Sequence, residues 1–144
     1  MDIMSKKQAH LEMIQAIINR LSHNSFLLKG WTVLLISALF ALAAHQSKPI
    51  FICLAYFPSV AFWCLDGFFL WQEKLYRALY DNVRGRDDNE VDFSMDTSIV
   101  RHEAGCWLGA VFSKTLLAFH FIILITIVFI MIFICFYGGN SNGA

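Results

Sequence analysis

Apolar residues in this chain come in long blocks instead of the short alternations of a soluble domain. Thr115 to Tyr137 is the cleanest block, 23 residues with His120 and Thr126 as its only notable polar side chains. A helix needs ~20 apolar residues to cross ~30 Å of hydrocarbon, so this block predicts a membrane span. A second block runs from about Pro49 to Trp71. Pro49 suits a helix start, and Pro58 inside the block predicts a kink. The remaining block is the weakest, because Trp31 to Ala44 gives only 14 residues. Extension back to Phe26 gives 19, provided Lys29 stretches its ammonium to the headgroups. Trp31, Trp71 and Tyr137 fall at span ends, where amphipathic rings prefer to sit. Three spans are expected.

The flanking pattern is helical too. Met4, Leu11, Ile14, Ile18 and Leu21 recur at 3- and 4-residue spacing, with Gln8, Glu12, Gln15, Asn19 and His23 on the opposite face. Leu11, Ile14, Ile18 and Leu21 also fit heptad a and d positions. Such a helix either lies on the membrane or packs against another subunit. Its uncharged amides and sparse basic residues favour subunit packing, making these four the oligomerisation candidates. After Trp71 no breaker occurs until Gly85, so span 2 should continue as an exposed helix braced by Glu73, Arg77 and Asp81 at four-residue spacing. Residues 85–97 read as a solvated acidic loop without the alternating ligands of a calcium site. The chain turns helical again around 98–113.

Composition and charge sharpen this picture. Of 144 residues, 58% are hydrophobic and 15% charged, against ~25% charged in an average soluble domain. Only one of the 22 charged residues lies in 30–65 and none in 115–144. A soluble enzyme, a disulfide-stapled domain and a disordered tail are all excluded. Ala41-Leu42-Ala43-Ala44 has the look of a signal-peptidase site, yet about 25 mostly polar residues precede the apolar core, which predicts an uncleaved span. Lys6, Lys7, Arg20 and Lys29 precede span 1, and six basic residues separate spans 2 and 3. The positive-inside rule then puts the N-terminus and 72–114 in the cytoplasm and the C-terminus in the periplasm. The expected division is a cytoplasmic amphipathic helix over 1–25, two spans within 26–71, a cytoplasmic helical sensor region over 72–114, span 3 over 115–137, and a tail over 138–144.

Candidate chemistry is sparse. No CxxC, phosphate loop or acid–base set of catalytic spacing occurs, so neither an enzyme nor a cofactor is expected. His102 and Cys106 have the i, i+4 spacing of metal ligands, but no third ligand is evident. Asp66, one turn inside span 2, stands out because a carboxylate at membrane depth is costly. It can pair with Lys29, line an ion path or gate, or reach a headgroup. The apolar wall of span 3 offers a dewetting gate, with Ile122, Thr126, Phe129 and Phe133 as candidates beside Asp66. The default for such residues is lipid. Arg77, Arg84 and Arg101, with Lys74 and Arg20 secondary, carry phosphate-binding forks and ammonium groups, and Tyr76 and Tyr80 carry rings for bases. Ordinary positive-inside charge competes with that reading.

Three stretches together resemble a known set of proteins: Lys29-Gly30-Trp31, Phe62-Trp63-Cys64-Leu65-Asp66-Gly67, and Gln72-Glu73-Lys74-Leu75-Tyr76-Arg77-Ala78-Leu79-Tyr80. They are similar to small bacterial membrane effectors encoded beside nucleotidyltransferases in antiphage defence operons, of the Hailong type, over about residues 5–84. The resemblance implies a homo-oligomeric inner-membrane ion channel, a tetramer, that senses a cyclic oligonucleotide and depolarises the infected cell. Duplex nucleic acid is not an expected partner. The alternative is a small membrane scaffold that docks a cytoplasmic protein on its basic helices.

Overall fold

The computed structural model describes residues 5–46 and 50–138, and every regular element among them is a helix. Met4, Lys48, Pro49 and the 139–144 part of the tail lie outside the described residues.

The N-terminal stretch expected to be a separate amphipathic helix and the first apolar block are one uninterrupted helix. Nothing between Lys6 and Gln46 breaks it, since Gly30 is its only glycine and it holds no proline. This helix, α1 (Lys6–Gln46), has 41 residues and runs roughly 60 Å at 1.5 Å per residue. The next, α2 (Ile50–Gly85), has 36 residues and passes through Pro58, which cannot donate a hydrogen bond to the preceding turn. Both outrun a ~30 Å hydrocarbon layer, so each divides into an apolar half long enough to cross it, the spanning half, and an overhang. Three helices are long and apolar enough to cross a membrane, two of them α1 and α2.

The two long helices form an antiparallel hairpin with two separate apolar cores. In the overhang, Ile14 and Ile18 of α1 meet Leu79 and Val83 of α2 and Val100 from the following segment, all at most 3% exposed. In the spanning half, Ile36 and Ala43 meet Ile52 and Ala55, joined by Ile127 of the last helix. Sequence spacing explains both, because residues three, four or seven apart share one helix face.

The connecting segment is broken into short pieces. Turns of 3₁₀ helix at Asp88–Glu90 and Ser98–Val100 lead to α3 (Arg101–Ala104) and α4 (Trp107–Val111). Where sequence pattern predicts helix around 98–113, Gly105 interrupts it with φ +70°, a left-handed conformation that favours glycine. Trp71 fixes that break by donating its indole N–H to the Gly105 carbonyl at 3.0 Å. The 86–97 loop also straps onto the start of α1. Asp88 accepts the Lys7 backbone N–H at 3.0 Å, Lys7 Nζ donates to the Arg86 carbonyl at 2.8 Å, and the His10 ring lies 3.1 Å from the Ser94 carbonyl oxygen. That Lys7 N–H, above all, holds the Asp88 carboxyl below the usual carboxylate range.

The last helix, α5 (Lys114–Gly138), is the third membrane-length element and packs on α2. Entry to it is set by Gly67. A Cβ there would sit 2.9 Å from the Val111 Cα, so only glycine lets α4 press against α2 at this point.

Candidate functional site: a polar junction between the spans

Each long helix contributes polar side chains to one level near the loop-bearing end of the spans. On α1, Ser25 and Lys29 are one turn apart and therefore share a face. On α2, Asp66 is fully buried. On α5, His120 lies in the second turn and is also fully buried. Lys29 Nζ approaches Asp66 Oδ2 to 2.6 Å and donates to Ser25 Oγ at 2.9 Å. Ser25 donates its hydroxyl to the other carboxylate oxygen, Oδ1. His120 Nε2 stands 3.1 Å from Oδ2. With an acceptor opposite, the Nε2–H tautomer is the one that fits.

The surroundings hold this geometry. Trp63 lies parallel to the His120 ring, 5.7 Å between centroids, and donates its indole N–H to the Val111 carbonyl at 3.0 Å. Phe119 meets His120 edge-on and lies beneath the Lys29 ammonium at 5.9 Å. Aromatic rings thus flank His120 and Lys29, two of the partners of a carboxylate whose oxygens are both occupied. His120 Nδ1 is buried without a hydrogen-bond partner. Burying a charge costs far less once it is paired and hydrogen-bonded, and the low-dielectric setting strengthens each bond.

Compared with protein-family models, curated proteins and solved structures, the chain matches none.

Among the three fates open to Asp66 from sequence, this geometry realises the pairing with Lys29. Full burial leaves no contact with headgroups. Lys29 is accordingly turned to the carboxylate, with 23% of its side chain exposed, instead of stretching to the surface. Sequence reading passed over Ser25 and did not link His120 to Asp66. The available signal was positional: each is a polar residue about one turn or two from the same membrane edge.

The proposed sensor residues are not gathered at one place. Arg77 makes a two-pronged contact with Glu73 on its own helix, at 2.7 and 2.9 Å, and borders a groove of about 270 Å³ with Gln15, Ile18, Tyr80 and Asp81. Arg84 pairs with Asp81 at 3.5 Å. Arg101 is elsewhere, its guanidinium 5.8 Å from the Trp71 ring centre. Tyr76 and Tyr80 pack partly against the overhang core, Lys74 is half-buried, and Arg20 is exposed. Of the oligomerisation stripe, Ile14 and Ile18 are consumed inside the subunit, while Leu11 and Leu21 are half-buried. The Ile122, Thr126, Phe129 and Phe133 face of α5 points away from the hairpin: Ile122 is 65% and Phe129 67% exposed. Thr126 returns its hydroxyl to the Ile122 carbonyl at 2.8 Å.

Proposed function

We propose that the chain is one subunit of a homo-oligomeric ion channel of the bacterial inner membrane, in which the Asp66 junction latches the closed state. The observation that carries this reading is the bonding of one buried carboxylate to α1 and α5 at once. Small shifts of α2 must break or remake that set together, which gives the spans two discrete arrangements. Because α2 runs unbroken from Asp66 to Arg77 and Arg84, force applied at the overhang reaches the junction directly.

In the same reading the subunits form a tetramer with the N-terminus cytoplasmic and the C-terminus periplasmic. A cyclic oligonucleotide made by a partner nucleotidyltransferase engages Arg77 and Arg84 of the overhang, with Arg101 set apart at Trp71 and outside this contact, and opening depolarises the cell as an antiphage response. This part rests on the resemblance over 5–84 and on the basic residues of the overhang. The outward α5 face, with its Ile122 and Phe129 side chains, is available to a neighbouring subunit or a pore. The role is non-catalytic. The scaffold alternative draws on the α1–α2 groove at Arg77 and Tyr80, which is open for a partner's side chains.

Planar-bilayer recording of the purified protein with cyclic oligonucleotides is the test. Ligand-dependent current is expected, with Asp66→Asn altering conductance while leaving ligand binding near normal. A ligand biases a two-state element only by its differential affinity for the states, so Arg77→Ala should weaken binding and opening together. Silence in the bilayer with binding intact would favour the scaffold.

A further inference from the structure

A second feature lies outside the junction. Where α2 leaves the apolar layer at Trp71, the side chains of α3 and α4 enclose an open groove of about 570 Å³. That is within the size range of small-molecule sites. Trp71 and Trp107 form its walls, Arg101 supplies its cation, and His102, whose Nε2 stands 3.7 Å from the Glu103 carboxylate, completes the lining, in which no residue is acidic. We propose that this groove binds the phosphodiester headgroup of an anionic phospholipid.

The position argues for a lipid. Downstream, the chain enters the membrane at Lys114 with α5, and upstream it leaves with Trp71, so α4 between them lies at the interfacial layer. Its inward residues Ala110 and Val111 are buried on α2, whereas Trp107, Leu108 and Phe112 are 38%, 56% and 59% exposed. An outward apolar face at that depth meets acyl chains, and indole rings favour the same layer. Charge argues for a phosphate. Arg101 spreads its guanidinium over the Trp71 ring and has no carboxylate partner among the described residues, in contrast to Arg77 and Arg84. Its planar fork matches two phosphate oxygens. The Trp71 indole N–H is already committed to the Gly105 carbonyl, so the groove's floor is fixed before any headgroup arrives. This assignment does not rest on the channel reading.

The test is native mass spectrometry of protein released from vesicles holding equal phosphatidylglycerol and phosphatidylcholine. Wild type should retain phosphatidylglycerol preferentially. Arg101→Gln should cut that preference about fivefold, the contribution of one basic side chain near an anionic surface. Trp107→Ala, checked by circular dichroism alongside it, should lower total retained lipid and decides the matter if Arg101→Gln does not fold. Equal retention of both lipids by wild type, or an unchanged preference in Arg101→Gln, would overturn the assignment. So would displacement of the lipid by soluble glycerophosphoglycerol or a cyclic oligonucleotide, which would give the groove to a soluble phosphodiester and leave the channel reading standing.

Discussion

The hairpin of α1 and α2 is welded twice, by opposite chemistry. In the overhang, Ile14, Ile18, Leu79 and Val83 exclude water from an apolar core, as in any soluble helical pair. In the membrane, burial of Ile36 or Ile52 gains little, since lipid tails are as apolar as the partner helix, and polar side chains take over as glue. The Asp66 junction does there what the Ile14 cluster does outside. One weld depends on area removed from water, the other on pairing a charge that has nowhere else to go. The first should weaken in proportion to the apolar volume removed from it; the second fails as soon as one partner is lost.

Lys29→Met breaks the comparison most severely. It strands the Asp66 carboxylate, and removing one member of a buried pair typically costs about 3–5 kcal/mol. Equilibrium unfolding in mixed micelles should show that loss, and Lys29→Met combined with Asp66→Leu should recover most of it. If the single variant were as stable as wild type, the junction would be ornamental. Leu79→Ala comes next, at about 2–5 kcal/mol for a fully buried leucine. Its damage should stay in the overhang, with hydrogen exchange rising around Ile14 and Val83 and little change around Ile52. A uniform rise along both helices would mean that the two welds act as one.

Gly67→Ala sharpens the contrast at the seam between the regions. The added methyl meets Val111, so α4 must shift, and overpacking of this kind costs about 1–3 kcal/mol. Because the Val111 carbonyl accepts from Trp63, which stacks on His120, the shift should change Trp63 fluorescence before it lowers stability much. An unaltered spectrum would show that α4 does not support the junction.

The architecture was largely legible in the residues, and the junction only in part. Three spans follow from runs of apolar side chains, and Gly85 closes α2 as a helix stop should. The continuity of α1 was harder to see, because the polar Ser22–Ser25 stretch looks like a boundary although it contains no residue that ends a helix. Asp66 announced itself by cost alone, and Lys29 by sign and depth. His120 did not, since a lone histidine in an apolar helix carries no indication of which carboxylate it faces; that depends on the rotation of α5 about its own axis. The fate of Ile14 and Ile18 was ambiguous for a similar reason. A stripe at heptad spacing fits any apolar partner, and here the partner is α2 of the same chain.

The smallest expected effect belongs to the strap that ties the acidic loop to the start of α1, and pH isolates it. Three carboxyls of this loop sit below their ordinary value of 3.8: Asp88 through the Lys7 N–H, Asp92 through the Ser94 N–H, and Asp96 through the Ser98 hydroxyl and N–H. A depressed carboxyl stabilises the native contact wherever it is ionised, above its unfolded value, and that support drains away as pH falls through the lower native value. The carboxyl contribution to the strap should therefore be constant between pH 7 and 5 and drain away only below about 4, where the unfolded carboxyls begin to bind protons first. Hydrogen exchange, corrected for intrinsic rates, should show the first amides of α1 from Lys7 to His10 losing protection at pH 3 while Leu75 to Val83 keep theirs. Asp88→Ala should reproduce that local loosening at pH 7. The aliphatic core beside it carries no titrating group, so a matching loss of protection at Leu79 would mean that strap and core open together. Greater protection of Lys7 at pH 3 than at pH 7 would reverse the sign and remove the capping role of Asp88.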